Sequence, residues 1–193
     1  MFILREMNSL QKIYPAIRSM KEFEIFLSSH YETAFFLDVH ISQLKNIRQM
    51  AKEHRKKLLY HMDLIHGLKN DDYATEYICQ EVKPTGLIST KASVIIKAKQ
   101  RGLVTVQRIF LLDSQALEKN LSIIERTKPD YIEVLPGAMP WIIKEIKDQI
   151  NIPIFAGGFI RTVAEVEQAL EAGATAITTT NVQLWKHYEK VLS

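Results

Sequence analysis

Along the whole chain, apolar residues at helical spacing alternate with short β-branched or aromatic runs, and few folds tolerate that alternation. A strand, a helix and another strand in succession call for parallel pairing through crossover helices. Strands are expected near Tyr14 to Ile17, Ala34 to Leu37, Leu58 to Ile65, Gly86 to Ser89, Val104 to Phe110, Tyr131 to Leu135, Pro153 to Ala156 and Ala176 to Thr179. Between them lie helical stripes, such as Leu44, Ile47 and Ala51, or Leu117, Leu121 and Ile124, or Ile142, Ile143, Ile146 and Ile150. Eight such units in 193 residues fit one compact (β/α)8 barrel of TIM type, slightly below the usual size. No Pro/Gly/Ser-rich linker divides the chain, so residues 1–193 read as a single domain. The first unit is the weakest, because Pro15 cannot donate to a ladder. An open, doubly wound sheet of seven strands is the alternative. Against it, no Gly-x-Gly-x-x-Gly follows the first strand.

Composition removes several function classes. Apolar residues make up 47% of the chain and charged residues 24%, as in soluble globular proteins, and no apolar run approaches a membrane span. The opening Met1-Phe-Ile-Leu-Arg-Glu has no signal-peptide core, so the expected location is the cytoplasm. The single cysteine, Cys79, excludes an intrachain disulfide and a cysteine cluster for zinc, and it falls in a helical pattern that favours core packing. No His/Asp/Glu spacing resembles a metal site, and neither a Walker loop nor a nucleophile elbow is present, so no metal and no cofactor are expected. Net charge is +3, which neither demands nor forbids a nucleic-acid partner. Basic residues concentrate in Lys52-Glu-His-Arg-Lys-Lys57 and in Lys97-Ala-Lys-Gln-Arg101, both where a helix should end and cations complement its dipole.

Buried parallel strands are normally near-continuous apolar runs, so polar residues within them need a reason. His61 and Asp63 stand two apart in one expected strand and so point to the same side. Arg108 and Glu133 interrupt neighbouring strands and can pair across them, either as an ion pair filling the barrel or as hydrogen-bonding groups at its carboxyl-terminal mouth. Ser89, Thr90 and Lys91 end another strand with groups that suit phosphate or polyol oxygens, or that cap the next helix.

Gly157 and Gly158 end the seventh strand, and Thr178-Thr-Thr-Asn181 ends the eighth. Glycine amides allow an anion to approach closely, Thr162 to Glu165 has the spacing of a helix capping box, and the last two strand–helix loops of such barrels are where phosphate usually sits. A Gly-Gly turn required only by chain geometry is the plainer explanation for the first of these loops. The Thr-rich second loop favours a phosphate cradle.

Taken together, Leu64-Ile-His-Gly-Leu68, Gly86-Leu-Ile-Ser-Thr-Lys91, Gln107-Arg-Ile-Phe-Leu-Leu-Asp-Ser114, Glu133-Val-Leu-Pro-Gly137, Ala156-Gly-Gly-Phe-Ile160 and the stretch from Thr178 to Trp185 resemble the glycerol-3-phosphate-responsive antiterminators of Gram-positive bacteria. The likeness covers nearly the whole chain, and the first 20 residues contribute little to it. Two departures are Phe159, where leucine is commoner, and Thr178 to Thr180, where serines often occur. The resemblance implies an RNA-binding regulator that, charged with glycerol 3-phosphate, suppresses a terminator in the leader mRNA of glycerol-utilisation genes. On that basis the phosphate would lie on the amides of Gly157, Gly158, Thr179, Thr180 and Asn181, with Lys91 adding charge. Asp63, Ser89 and Glu133 would meet the glycerol hydroxyls, with Arg108 orienting Glu133. RNA contact is expected on basic outer helices, with Lys97, Lys99 and Arg101 as candidates, and ligand binding would favour an RNA-binding conformation or a homo-oligomer. The competing function is a barrel isomerase or lyase acting on a small phosphorylated sugar or polyol; a phosphate-binding scaffold that recruits a protein is a third.

Overall fold

The computed structural model describes Met7, residues 11–190 and Leu192. Residues 1–6, on which the expectation about the chain start rests, lie outside the described residues. The strands are β1 (Ile13–Ile17), β2 (Thr33–Phe36), β3 (Val39–His40), β4 (Lys57–His61), β5 (Ile65–His66), β6 (Gly86–Ser89), β7 (Val104–Phe110), β8 (Tyr131–Leu135), β9 (Ile154–Gly157) and β10 (Ala176–Thr179). The helices are α1 (Met20–Ser28), α2 (Leu44–Glu53), α3 (Asp72–Tyr77), α4 (Ala92–Gln100), α5 (Ser114–Thr127), α6 (Pro140–Gln149), α7 (Val163–Glu171) and α8 (Val182–Glu189). Eight of the strands close into a parallel barrel in the order β1-β10-β9-β8-β7-β6-β4-β2, so the fold is the TIM-type barrel and not an open sheet.

Side chains alternate between the two faces of this wall and build two cores. Tyr14, Phe35, Leu59, Ile88, Val106 and Phe155 fill the lumen, while a larger cluster of Ile, Leu and Val packs between wall and helices. The lumen is plugged by rings: Phe155 stacks on Tyr131 at 4.9 Å, and Tyr14 and Phe35 meet it at 5.0 and 5.5 Å. Cys79 is buried in a π-helical turn after α3, where burial pushes its thiol up to about 11.

The weakest expected strand is present and firm, and another expected strand needs correction. β1 is a full member of the wall, paired to β10 and β2 with all five residues buried, although Pro15 stands opposite Thr179. A strand with neighbours on both sides divides its donors between them, and one missing N–H leaves the rest of the ladder in place. The run from Leu58 to Ile65 is not one strand: β4 ends at His61, Met62 to Leu64 form a 3-10 turn, and β5 pairs with β3 outside the barrel. An apolar run has no visible break where a strand leaves the wall, because Met62 and Ile65 are buried against the outer core on either side of the turn. His61 and Asp63 therefore do not share a strand face.

Candidate functional site

At the carboxyl-terminal ends of the strands lies a cavity of about 530 Å³. Its floor holds Arg108 of β7 and Glu133 of β8, which face each other in register. Arg108 Nε donates to Glu133 Oε2 at 2.6 Å, and Thr178 Oγ1 donates to Glu133 Oε1 at 2.6 Å. Both readings of the pair made from the chain alone apply at once: it is a buried ion pair and it faces the mouth. Glu133 is 1% exposed and Arg108 9%, so each needs the other as counter-charge.

One wall of the cavity is the loop after β9. Gly158 has φ +78° and Phe159 φ +62°, both in the left-handed region, and the Phe159 ring is thereby held out in solvent with Arg161 Cζ at 6.0 Å from its centroid. The other wall is Thr179, Thr180 and Asn181. Asn181 caps α8 by accepting from the Gln183 amide at 3.0 Å, and its Nδ2 donates to the Arg161 carbonyl at 3.1 Å, which ties the two loops together. Trp185 Nε1 donates to the Thr179 carbonyl at 2.7 Å and anchors α8 below them.

Gly157, which does not line the cavity, has a packing reason to be glycine. A Cβ there would run into Thr178 Oγ1 and come within 3.1 Å of Glu133 Oε1, so this glycine makes room for the Glu133–Thr178 hydrogen bond.

Asp63, Ser89 and Lys91 stand apart from the cavity. Asp63 Oδ1 accepts from Asn70 Nδ2 and Ser89 Oγ at 2.6 and 2.5 Å, and Oδ2 from the Thr90 amide and hydroxyl at 2.7 and 2.8 Å. Burial opposes its ionisation, but these bonds prevail and hold the carboxyl below its ordinary range. Ser89 is fully buried, and Lys91 Nζ donates to the Asn70 carbonyl at 2.9 Å. The cluster staples the turn after β4 to the end of β6.

Arg18 and Arg161 line the mouth and were missed in the sequence. Each stands just before a helix with the pattern Arg-[Ser/Thr]-x-x-Glu: Arg18 to Glu22 ahead of α1, and Arg161 to Glu165 ahead of α7. In both, the glutamate folds back to accept the arginine's own amide, at 2.6 Å for Arg18 and 2.7 Å for Arg161. The capping box expected at Thr162 is present, with Thr162 Oγ1 accepting from the Glu165 amide at 3.2 Å. The repeated pattern was legible; what it delivers to the mouth was not. His61, 2% exposed at the end of β4, has no hydrogen-bond partner on either ring nitrogen among the described residues.

The mouth thus offers three guanidinium groups, three threonine hydroxyls and one carboxylate whose charge Arg108 already balances. That is a net-positive cup for a small anion that also carries hydroxyls. The basic residues expected to meet RNA are engaged elsewhere: Glu76 pairs with Lys97 at 3.0 Å and with Arg101 at 2.5 Å, and Lys99 Nζ contacts the Lys128 carbonyl. Among the described residues, no three His, Cys, Asp or Glu side chains come together as a metal site, and no helix is long and apolar enough to cross a membrane.

Comparison with known proteins gives a consistent picture. The family described as glycerol-3-phosphate responsive antiterminator matches residues 13–185, from the first residue of β1 into α8. The crystal structure of the glycerol uptake operon antiterminator regulatory protein of Listeria monocytogenes is similar at 41% identity and TM-score 0.89, over 91% of this chain and 95% of that one. A glycerol uptake operon antiterminator-related protein from Thermotoga maritima is similar at 29% identity and TM-score 0.80, over 91% and 98%. The deoxyribose phosphate aldolase of Aeropyrum pernix, at 15% identity and TM-score 0.72 over 95% and 92%, shares the fold alone.

Proposed function

This chain belongs to the glycerol-3-phosphate-responsive antiterminator family, a family of regulators and not of enzymes, and we propose that it is an RNA-binding antiterminator whose barrel mouth holds glycerol 3-phosphate. The observation that carries this reading is the pairing of Arg18 and Arg161 with the Gly158 and Thr179 to Asn181 loops above a buried Arg108–Glu133 pair. The phosphate lies against the two loops and the two rim arginines. The glycerol hydroxyls reach down to Glu133 and Thr178, with Arg108 fixing the carboxylate. Asp63, Ser89 and Lys91 serve by holding the β4 and β6 ends in position. The protein works in the cytoplasm on the leader mRNA of glycerol-utilisation genes, and ligand closure of the mouth favours the RNA-binding state.

An RNA shift assay with the organism's own leader transcript tests this. Glycerol 3-phosphate is expected to tighten binding by roughly 5- to 150-fold, the range of a 1–3 kcal/mol coupling. Identical binding with and without it would falsify the switch.

The mouth itself is tested by thermal unfolding. At a hundredfold excess over its dissociation constant, glycerol 3-phosphate should add about 2.7 kcal/mol and raise Tm by several degrees, whereas glycerol should add nothing comparable. Gly158→Glu should abolish that shift by placing a like charge in the cradle. Gly158→Ala is the control, since it shares the strain of a side chain at φ +78° and its Cβ comes no nearer to a neighbour than 3.4 Å, from Leu135. A normal shift in the glutamate variant would move the phosphate elsewhere.

A further inference from the structure

At the opposite end of the barrel a second cavity, of about 250 Å³, opens between the end of α2 and the turn that leads into β6. Arg48, Lys52, Arg55, Lys56 and Lys83 line it, and no acidic residue does. Arg48 and Lys52 are four apart on α2 and share a face. Arg55 and Lys83 both have left-handed backbones, with φ +57° and +51°, at positions following a helix where glycine is the relaxed choice. Cations at helix ends complement the dipole, which accounts for Lys52 and Arg55. It does not account for Arg48, nor for a wall lined by five positive groups and no carboxylate.

Among the described residues, none of these cations pairs with a carboxylate. Lys56 alone is occupied, donating to the carbonyls of Ser29 and Tyr31 at 2.5 and 2.6 Å. Lys97 and Arg101, by contrast, share the Glu76 carboxylate between them. A second observation points to a ligand. Tyr60, on the wall of the same cavity, is fully buried, its hydroxyl has no hydrogen-bond partner among the described residues, and Arg48 acts on it electrostatically. A buried hydroxyl left unpaired is costly, and an entering anionic oxygen would satisfy it.

We propose that this cationic pocket at the amino-terminal end of the barrel is where the leader RNA docks, its backbone phosphates seated among Arg48, Lys52, Arg55 and Lys83 with one reaching the Tyr60 hydroxyl. The occupant is a polyanion because Arg48, Lys52, Arg55 and Lys83, four cations with no carboxylate partner among the described residues, exceed what one small phosphate can neutralise. The inference rests on the antiterminator reading, and it puts effector and RNA at opposite ends of one barrel. Coupling between them then passes through the wall, including β4, which carries His61 at one end and Tyr60 beside it.

Salt dependence of leader-RNA affinity, with glycerol 3-phosphate present, tests the placement. Each phosphate contact to single-stranded RNA contributes about 0.7 to the log–log slope, so Arg48→Gln/Lys83→Gln should lower the slope by about 1.4 and weaken binding. The thermal shift produced by glycerol 3-phosphate should be unchanged, which shows the variant folded and the mouth intact. Tyr60→Phe should leave the free protein at least as stable while weakening RNA binding roughly tenfold, the loss of one charge-assisted hydrogen bond. A wild-type slope in the double variant, with a reduced one in Lys97→Gln/Lys99→Gln/Arg101→Gln, overturns the proposal and places RNA on α4. Absence of any RNA binding by the wild-type protein at low salt overturns the antiterminator reading first, and the docking face with it.

Discussion

Arg108→Ala is expected to be the most damaging single truncation in the barrel, lowering stability by about 3–5 kcal/mol, the range seen when one partner of a buried ion pair is removed. Arg108 is only 9% exposed, and its Nε lies 2.6 Å from a carboxylate that is 1% exposed. Once the guanidinium is gone, Glu133 keeps the Thr178 hydroxyl as donor but, among the described residues, has no other ion-pair partner. Urea unfolding at neutral pH measures the loss. Replacing both partners, as Arg108→Met/Glu133→Leu, should recover most of it, because apolar groups of similar volume need no counter-charge. The double-mutant cycle would then show a coupling well above the 0.2–1 kcal/mol of exposed pairs. A loss under about 1 kcal/mol in the single variant would mean that water reaches Glu133 and that the pair belongs to an open mouth. In either case the glycerol 3-phosphate shift should vanish in the double variant, since the carboxylate proposed to meet the glycerol hydroxyls is gone.

The barrel was legible because its repeat is physical: each strand needs a helix to cross back, and each helix shows an apolar stripe. Leu44, Ile47 and Ala51 are buried as their spacing implied, and so are Ile142, Ile143 and Ile146. The Arg108–Glu133 pairing was legible too, since charges inside adjacent greasy strands have few other partners. What failed was local. The sequence shows hydrophobicity and not direction, so the turn at Met62 to Leu64 was invisible, and with it the separation of Asp63 from His61. Ser89 illustrates a second limit. Its strand neighbour Leu87 belongs to the outer core and Ile88 to the lumen, so Ser89 faces away from the lumen, a parity that the chain alone leaves open by one residue. The basic run at Lys97 to Arg101 shows a third. Its charge is plain in the sequence, but Glu76, which pairs with Lys97 and Arg101 and offsets one of the three positive charges, comes from another helix.

Acidification should destabilise the protein between about pH 6.5 and pH 4 through a single buried imidazole. Burial, reinforced by the neighbouring Arg108, pushes His61 down to about 4 from the usual 6.5, while Asp63 and Glu133 pull weakly the other way. The direction of the effect follows from which state binds the proton. Between those two values the unfolded chain takes up a proton that the folded chain refuses, so stability falls as pH drops through the interval and this group adds no further loss below about 4. At 1.36 kcal/mol per unit, the gap amounts to about 3 kcal/mol. Asp63 acts in a lower window: its depressed carboxyl contributes stability above the ordinary carboxylate range that is lost only as pH falls through the folded-state value. Urea midpoints at pH 7, 6, 5 and 4.5 separate the two. In His61→Leu the slope across that range should flatten, and stability at pH 7 should change little, because neither ring nitrogen loses a partner. The physical consequence for the mouth is that a neutral ring adds no charge beside Arg108, which leaves the guanidinium's attraction to Glu133 undivided. A wild-type slope in the leucine variant would mean that the imidazole is solvated and charged at mild acidity, and the lumen around Arg108 would then have to be wet.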